Sequence, residues 1–442
     1  MIKKISLRNG FLIAFLLIVL ALNIFIPERS EQIKVVSSYP ATVCPAIGNK
    51  VSSIAGVTNP KIGRRSIDGV TKKLAVGKTT QIPLSNTSVL IEGNAGTAIT
   101  FANNKWKAAV PCSVSNGQQW FVGGSGAITS KSFLYIVNSG YSDSNVEVEV
   151  FTPNGAIEVI EFKIPQNSTK KISVDTLAPG EGEIVIAVTT KSGRVSSFLF
   201  DERKKGLRSL GADFVSPVAQ AEKQVRIVSI PGLVGKLNNN NNSISQILRI
   251  LVPGKIDANI EVTINSNDGN FVPDGLSEVK VDSQRVLSIP LSAAPTNQTF
   301  SVIVNSDQPI LASVLTNFTF GRSNEITWTT GSDILSNWSA NLTGSRPILT
   351  FVGDKINVLV KANSVNGKKV EKKLSGKDFI AWQSPVGLNR LQVTALGKGI
   401  SGGVILLPLE ANIGISSLPM NNGGNLETAS EPISDASVIT RR

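Results

Sequence analysis

The stretch VEVEV at Val146–Val150, followed by the turn pair Asn154-Gly155, is the clearest structural signal in this sequence. Strict alternation of apolar and polar residues is typical of a half-buried β-strand. Asn-Gly supplies the positive φ angles that a two-residue hairpin turn requires. The same strand and turn recur twice, at Ile260–Ile264 with Asp268-Gly269 and at Val358–Ala362 with Asn366-Gly367. Three matched units indicate an internal repeat.

The region around each unit extends the repeat. Upstream, Leu134–Gly140 aligns without a gap with Leu248–Gly254, and short alternating runs continue downstream in both copies. About six or seven strands in roughly 80 residues match an immunoglobulin-like β-sandwich. A β-propeller with one blade per repeat is the alternative, although blades usually take about 40 to 50 residues. We therefore predict an all-β fold of tandem immunoglobulin-like β-sandwich repeats behind one N-terminal transmembrane helix.

The N-terminus has the composition of an export signal. Lys3, Lys4 and Arg8 precede the apolar run Gly10–Ile26, which is interrupted only by Asn23. The run is near the lower limit for crossing a bilayer and lacks the small residues of a cleavage site. The basic flank is expected to stay in the cytoplasm. We predict a single-pass signal-anchor in the plasma membrane with the bulk of the chain extracytoplasmic; secretion after signal cleavage is the alternative.

These patterns predict six segments. They are a cytoplasmic stub with a transmembrane signal-anchor (residues 1–27), an N-terminal β region with a disulfide (28–118), β-sandwich repeats one (119–211), two (212–325) and three (326–416), and a disordered tail (417–442). Cys44 and Cys112 are expected to form the disulfide, because an oxidising compartment favours pairing of two cysteines. Two buried free thiols are the alternative.

Composition excludes much catalytic chemistry. The 442 residues include no His, so no Ser-His-Asp or Cys-His nucleophile can form, and metal sites lack their commonest ligand. Asp201, Glu202 and Asp213 are the acids near the repeat junctions. We predict no catalytic residues, no metal and no cofactor. We predict a non-enzymatic scaffold or interaction module; a cell-wall glycan-binding module is one alternative, and an envelope hydrolase or transferase is a weaker one.

Two groups of side chains are candidates for contacts with a glycan or a partner. Trp338 and Trp382 could pack on sugar rings, whereas Trp120 and Trp328 are expected in cores. The net charge is +12, and one basic cluster consists of Lys368, Lys369, Lys372 and Lys373. It could hold anionic cell-wall polymers or another envelope protein, or simply block association of strand edges. Nucleic acid is not expected as a partner outside the cell.

The sequence resembles a family of secreted or membrane-anchored actinobacterial proteins known only as a domain of unknown function. The shared features are Val43-Cys44-Pro45, the Trp-x-x-Gly-Gly segment at Trp120–Gly124, Leu134–Gly140, Gly211–Phe214 and Trp328. The resemblance covers nearly the whole region after residue 40. It implies an exported β protein of the cell envelope and no catalytic residues.

Overall fold

The described residues form β-strands throughout, which confirms the all-β class that the alternating apolar pattern predicts. The computed structural model describes residues 35–38, 41–48, 52–57, 63–66, 71–73, 80–84, 87–91, 97–103, 105–233, 241–342, 344–364, 366–408, 414–421 and 427–430. The helical element of this part is one 3-10 turn at Val174–Thr176. None of its helices is long and apolar enough to cross a membrane. The predicted signal-anchor, residues 1–27, lies outside the described residues.

Between β1 (Val35–Ser38) and β33 (Glu427–Ser430), the strands fall into four consecutive sets. Set one comprises β2 (Thr42–Cys44), β3 (Ser52–Val57), β4 (Gly63–Ser66), β5 (Thr71–Lys73), β6 (Thr80–Leu84), β7 (Val89–Ile91), β8 (Thr97–Ala102) and β9 (Lys107–Pro111). Set two comprises β10 (Gln118–Val122), β11 (Phe133–Asn138), β12 (Ser144–Thr152), β13 (Gly155–Ala156), β14 (Ile160–Ile164), β15 (Ser168–Ser173), β16 (Val185–Ser192), β17 (Val195–Lys205) and β18 (Arg208–Val215). Set three comprises β19 (Glu222–Ile230), β20 (Asn242–Leu251), β21 (Ala258–Ser266), β22 (Gly269–Phe271), β23 (Val279–Val281), β24 (Val286–Pro290), β25 (Phe300–Phe320) and β26 (Ser323–Thr330). Set four comprises β27 (Asn337–Asn341), β28 (Ser345–Asn363), β29 (Lys369–Gln383), β30 (Arg390–Ala395), β31 (Ser401–Pro408) and β32 (Ser416–Pro419).

All four sets share one order of antiparallel strand pairing. Set one has the sheets β2-β7-β4-β5 and β6-β3-β8-β9. Set two has the sheets β10-β16-β12-β14 and β15-β11-β17-β18. In set three, the long strand β25 belongs to both β19-β25-β21-β23 and β24-β20-β25-β26. In set four, β28 and β29 each serve both sheets, giving β27-β30-β28-β29 and β29-β28-β31-β32.

The predicted segment limits differ from these sets in three places. Residues 28–118, predicted as a separate β region, contain the strands of set one with the common pairing order. The limits after residues 211 and 325 fall inside β18 and β26, which pair with the strands before them. The predicted tail from residue 417 begins inside β32, where Leu418 and Met420 are buried. Its residues 422–426 and 431–442 lie outside the description.

The hairpin turns lie one residue earlier than Asn-Gly and Asp-Gly predict. Thr152 pairs with Gly155, so the turn residues are Pro153-Asn154, and Gly155 begins the return strand at φ +118°. Ser266 and Gly269 pair in the same way. The glycine therefore provides its positive φ after the turn instead of within it. The third pair, Asn366-Gly367, lies in the longer loop between β28 and β29.

The chain divides into two compact units. The unit Met1–Ser38 with Glu427–Arg442 contains, among its described residues, the antiparallel pair of β1 and β33. The unit Tyr39–Leu426 contains all four sets.

Within Tyr39–Leu426, apolar cores connect each set to the next. Phe101 of set one packs on Phe214 of set two, with ring centroids 4.9 Å apart. Trp328 of set three lies in the core of set two, and Phe318 of set three shares a core with Ile405 of set four. Ala109 of set one joins the core of set four. The series of contacts therefore returns to its start, and the four sets close a ring.

The contact between set four and set one gives a first testable prediction. Gly56 lies so near β27 that an added Cβ would overlap the backbone oxygen of Asn341. We expect Gly56→Ala to lower the free energy of unfolding by about 1 to 3 kcal/mol, because the two strands must separate. Urea unfolding followed by fluorescence measures this change. Gly182→Ala, which would meet nothing within 4 Å, is the control. Equal stability of both variants would contradict a closed ring.

Candidate functional site

The structure confirms the disulfide between Cys44 and Cys112. Cys44 ends β2, Cys112 follows β9, and their Cα atoms are 4.5 Å apart. Both cysteines are buried. Beside them, Val43 and Ser113 exchange two backbone hydrogen bonds of 2.7 and 2.9 Å. The bridge therefore ties the first strand of set one to the residue after its last strand.

The sequence predicts core positions for two of the tryptophans, Trp120 and Trp328. Trp120 and Trp328 are buried, with 8% and 0% of their surface exposed, so their expected core positions are confirmed. Trp338 and Trp382 are half-buried and pack against the core of set four.

Trp338 and Trp382 are not neighbours across the sheet. A register shift between Gly353 and Ile356 divides β28 into two segments. Trp338 pairs with Val393, which pairs with Val360 in the second segment. Trp382 pairs with Leu349 in the first segment. The structure does not align the two indoles in one row, as a continuous sugar-binding surface would need.

The predicted basic cluster lies together at a sheet edge. Lys369, Lys372 and Lys373 belong to β29 and Lys368 immediately precedes it; all four side chains are exposed. We call these four residues the lysine edge. In the described residues β29 pairs only with β28, so its other edge forms no strand pairing, although β29 also contacts β21 and β22 of set three.

The second basic run, Arg203-Lys204-Lys205, differs because acids pair with two of its three residues. The Arg203 guanidinium pairs with Asp201 at 3.0 Å, and Lys204 Nζ pairs with Glu202 at 3.0 Å. Among the described residues, the lysine edge has no acid within salt-bridge distance. Its four charges are therefore available to a ligand.

Three acids form a buried cluster at the centre of the ring, which we call the acid cluster: Asp201, Asp213 and Glu325. The last strands of the four sets meet here, since β9 contacts β18 and β32, and β26 contacts the same two strands. Asp201 and Asp213 face each other in the pairing of β17 with β18. All three acids have 0% of their surface exposed.

Asp213 connects the central strands through hydrogen bonds. Its Oδ1 accepts from Ser416 Oγ at 2.8 Å, and its Oδ2 accepts from the Trp328 backbone N–H at 3.0 Å. The Ala109 backbone N–H also interacts with this carboxyl. One side chain of β18 therefore holds strands β9, β26 and β32. Glu325 adds a link, since its Oε1 accepts from the Ala212 backbone N–H at 3.2 Å.

The two facing acids have opposite pKa shifts. Burial raises the pKa of Asp213 well above its usual value, against the lowering effect of its hydrogen bonds. Burial also acts to raise the pKa of Asp201, but the Arg203 guanidinium and hydrogen bonds from Ser132 and Trp328 outweigh it and hold this pKa below its usual value. Asp201 is therefore the more readily ionised of the two acids, and Asp213 keeps its proton to higher pH.

Arg249 and Trp328 complete the environment of the acid cluster. Trp328 Nε1 donates to Asp201 at 3.0 Å, and the guanidinium carbons of Arg203 and Arg249 lie 5.6 and 5.1 Å from the Trp328 ring centroid. Arg249 donates to the backbone oxygen of Gly124 at 3.0 Å, and burial lowers its pKa to about 10. The sequence did not reveal Arg249 or Glu325 as members of this centre.

The chemistry open to the acid cluster follows from its burial. A pair of carboxyls with separated pKa values is what acid–base catalysis uses. A substrate must reach the carboxyl oxygens within hydrogen-bonding distance, however, and the side chains of Asp201 and Asp213 are fully enclosed by strands. The arrangement is suited to holding the four central strands together.

Solved structures share only weak likeness with the chain. The crystal structure of Thermotoga maritima 1070 is 17% identical with a TM-score of 0.21, over 25% of this chain and 93% of that one. A tetra-tandem repeat in the extending region of a large adhesion protein is 8% identical with a TM-score of 0.10, over 88% of this chain and 94% of that one. Scores this low do not establish a shared fold.

Comparison with sequences gives one match. No curated protein matches the chain. A family model does, over residues 95–374, and its description is "Family of unknown function (DUF5719)". The matched region begins before β8 and ends within β29, so it contains all of sets two and three.

Proposed function

The chain belongs to DUF5719, a family of unknown function, and from this premise we propose that it is a non-enzymatic, membrane-anchored protein of the cell envelope. Its extracytoplasmic part would serve as a scaffold or interaction module. The observation that carries the proposal is the buried disulfide between Cys44 and Cys112, since disulfides persist in oxidising compartments outside the cytoplasm. The basic and then apolar N-terminal sequence, read as a signal-anchor, agrees with this location.

The architecture supports a display role. We infer that the four sets, with their common pairing order, are tandem β-sandwich repeats of immunoglobulin-like type, four in number instead of three. A closed ring of such repeats presents many loops on a rigid frame, which is how binding proteins commonly place their contact residues. The Cys-Pro and Trp-x-x-Gly-Gly segments would then be features shared with exported actinobacterial relatives.

The acids support a non-enzymatic role. A hydrolase of wall polymers would need an accessible carboxyl pair, because the sequence has no His. The acids near the predicted repeat junctions instead pair with basic residues or hold strands together. Asp201 bonds Arg203, Glu202 bonds Lys204, and Asp213 accepts hydrogen bonds from β26 and β32.

The location can be tested on the full chain in cells that export proteins. We expect the protein in the membrane fraction, degraded by protease added to cells whose outer layers are permeabilised, and without free thiols on alkylation after denaturation. The control is a cytoplasmic protein followed in the same lysed cells and the same fractions. Recovery from the cytosol with two reactive thiols would overturn the proposal.

A further inference from the structure

The outer edge strands of sets two, three and four differ in how their charged side chains are paired. In set two, Lys163 of β14 bonds Asp143 at 2.9 Å, and in set three, Lys280 of β23 bonds Asp257 at 2.9 Å. Both lysines occupy the same place, opposite an asparagine at the start of the central strand, Asn145 and Asn259. These two sets therefore carry balanced ion pairs at the outer edge.

In set four, both the lysine and the acid of this ion pair are replaced by other residues. The equivalent asparagine is Asn357, and the residue opposite it is Ser375 instead of a lysine. The position of the acid, two residues before the asparagine, holds Lys355. Set four thus has Lys355 and Ser375 where sets two and three have the acid and the lysine of the ion pair, with Asp354 next to Lys355 in the chain.

Blocking of strand association does not account for this difference. Charged side chains on an edge strand do prevent unwanted pairing. Sets two and three achieve that with ion pairs whose net charge is zero. Among sets two, three and four, whose edge side chains are described, the lysines without an ion pair are concentrated on the edge of set four, which points to a binding surface there; in set one the equivalent strand β5 also contains Lys72 and Lys73. Successive side chains of a strand point to opposite faces, so Lys369 and Lys373 lie on one face of β29 and Lys372 on the other, and the charges flank the strand edge on both faces.

We propose that the lysine edge binds a linear polymer that carries a negative charge on every repeat. The proposal rests on the envelope role inferred above and names the partner. Cations spaced along an edge strand complement a polymer that runs along that edge with a phosphate or carboxylate on every repeat, and each lysine contributes through an attraction that salt weakens. Lys361 and Glu371 form an ion pair of 3.6 Å on the same hairpin, which leaves the four lysines as the binding charges.

The test uses the purified full-length chain in a neutral detergent. Binding of inorganic polyphosphate and of polygalacturonate is measured by calorimetry, so that phosphate and carboxylate polymers are compared. The variant replaces Lys368, Lys369, Lys372 and Lys373 by Gln. The control variant replaces four exposed and dispersed lysines by Gln: Lys105, Lys205, Lys223 and Lys255. Both variants lose the same net charge.

We expect the affinity of the lysine-edge variant for at least one polymer to fall at least about tenfold, with a smaller dependence on salt. The dispersed variant should stay within about twofold of the unchanged chain. Equal losses in both variants would overturn the proposal, as would tight binding by the lysine-edge variant, no polymer binding at all, or binding only to vesicles of phosphatidylglycerol. Localisation is measured in a separate experiment, so a negative binding result does not test the proposed location in the envelope.

Discussion

Asp213→Ala is expected to lower the free energy of unfolding by about 3 to 5 kcal/mol. The substitution removes the acceptor for Ser416 Oγ and for the Trp328 backbone N–H, both buried. Buried donors without an acceptor are costly because water cannot replace the lost partner. These donors belong to β32 and β26, so the loss should loosen the centre of the ring and not only set two. Urea unfolding at neutral pH measures the effect.

Asp213→Asn separates the effect of hydrogen bonding from that of the titrating proton. The folded pKa of Asp213 is raised, so its stabilising contribution is complete below the ordinary value of 3.8 and is lost as the pH rises through the folded pKa. The unchanged chain should therefore lose stability relative to the Asn variant as the pH increases, by up to about 1.4 kcal/mol per pH unit. Glu325 remains in both proteins, but the charge of Asp213 raises the pKa of Glu325, so the difference between the two proteins reports Asp213 together with this coupling.

The control for both variants is Asp274→Ala, at an exposed position. It should change the unfolding free energy by less than about 0.5 kcal/mol. If Asp213→Ala were as mild as this control, or if the unchanged chain gained stability over the Asn variant with rising pH, the assigned role of Asp213 would be wrong.

Much of the fold was predictable because strand signals are local. The alternation at Val146–Val150 and at Ile260–Ile264 places alternate side chains on opposite faces, and both stretches are strands. Cys44 and Cys112 were predictable from their number and the export signal. Local signals fail at Asn305–Pro309, which has the composition of a loop but continues within β25. There, Asn305 pairs with Gln224 and Glu261, Ser306 pairs with Ile260, and pairing resumes at Ile310, so tertiary pairing on both sides of the segment outweighs its local preference.

Set one escaped recognition as a copy for a related reason. Its strands are short, between three and six residues, and although Asp68-Gly69 separates β4 from β5, the strand before that pair, Gly63–Ser66, lacks the alternating apolar residues of the other copies. The order of strand pairing is what shows its equivalence to the other sets. Pairing order depends on contacts between distant residues, which a single sequence does not display.

Asp201 and Asp213 are recognisable in the sequence as acids near the predicted repeat junctions, but their association with Glu325 in the acid cluster was beyond sequence reasoning. Asp213 bonds Trp328 and Ser416, which are 115 and 203 residues away in the chain. Arg249 left a usable signal, because it is one charge inside the apolar run Ile247–Leu251. Such a charge, on a strand that is apolar on both faces, indicates a buried polar contact. The lysine edge was easier, since its members are adjacent in sequence.

The second large effect is expected from the disulfide. The double variant Cys44→Ala with Cys112→Ala should lose about 4 kcal/mol of unfolding free energy, because the bridge joins residues separated by 68 positions and restricts the unfolded chain. Set one is also where the ring returns to its start, since its residues share cores with sets two and four. Loosening β2 and β9 should therefore lower the cooperativity of unfolding as well as its midpoint.

Reductant gives the matched control for this variant. Dithiothreitol should lower the stability of the unchanged chain to that of the double variant and leave the double variant unaffected, when both are followed by thermal unfolding. A double variant as stable as the oxidised chain would show that the bridge does not stabilise the fold. If the predicted loss is found, the full stability exists only where thiols are oxidised. Chain retained in a reducing cytoplasm would then be the less stable form, which connects the energetics of Cys44 and Cys112 to export.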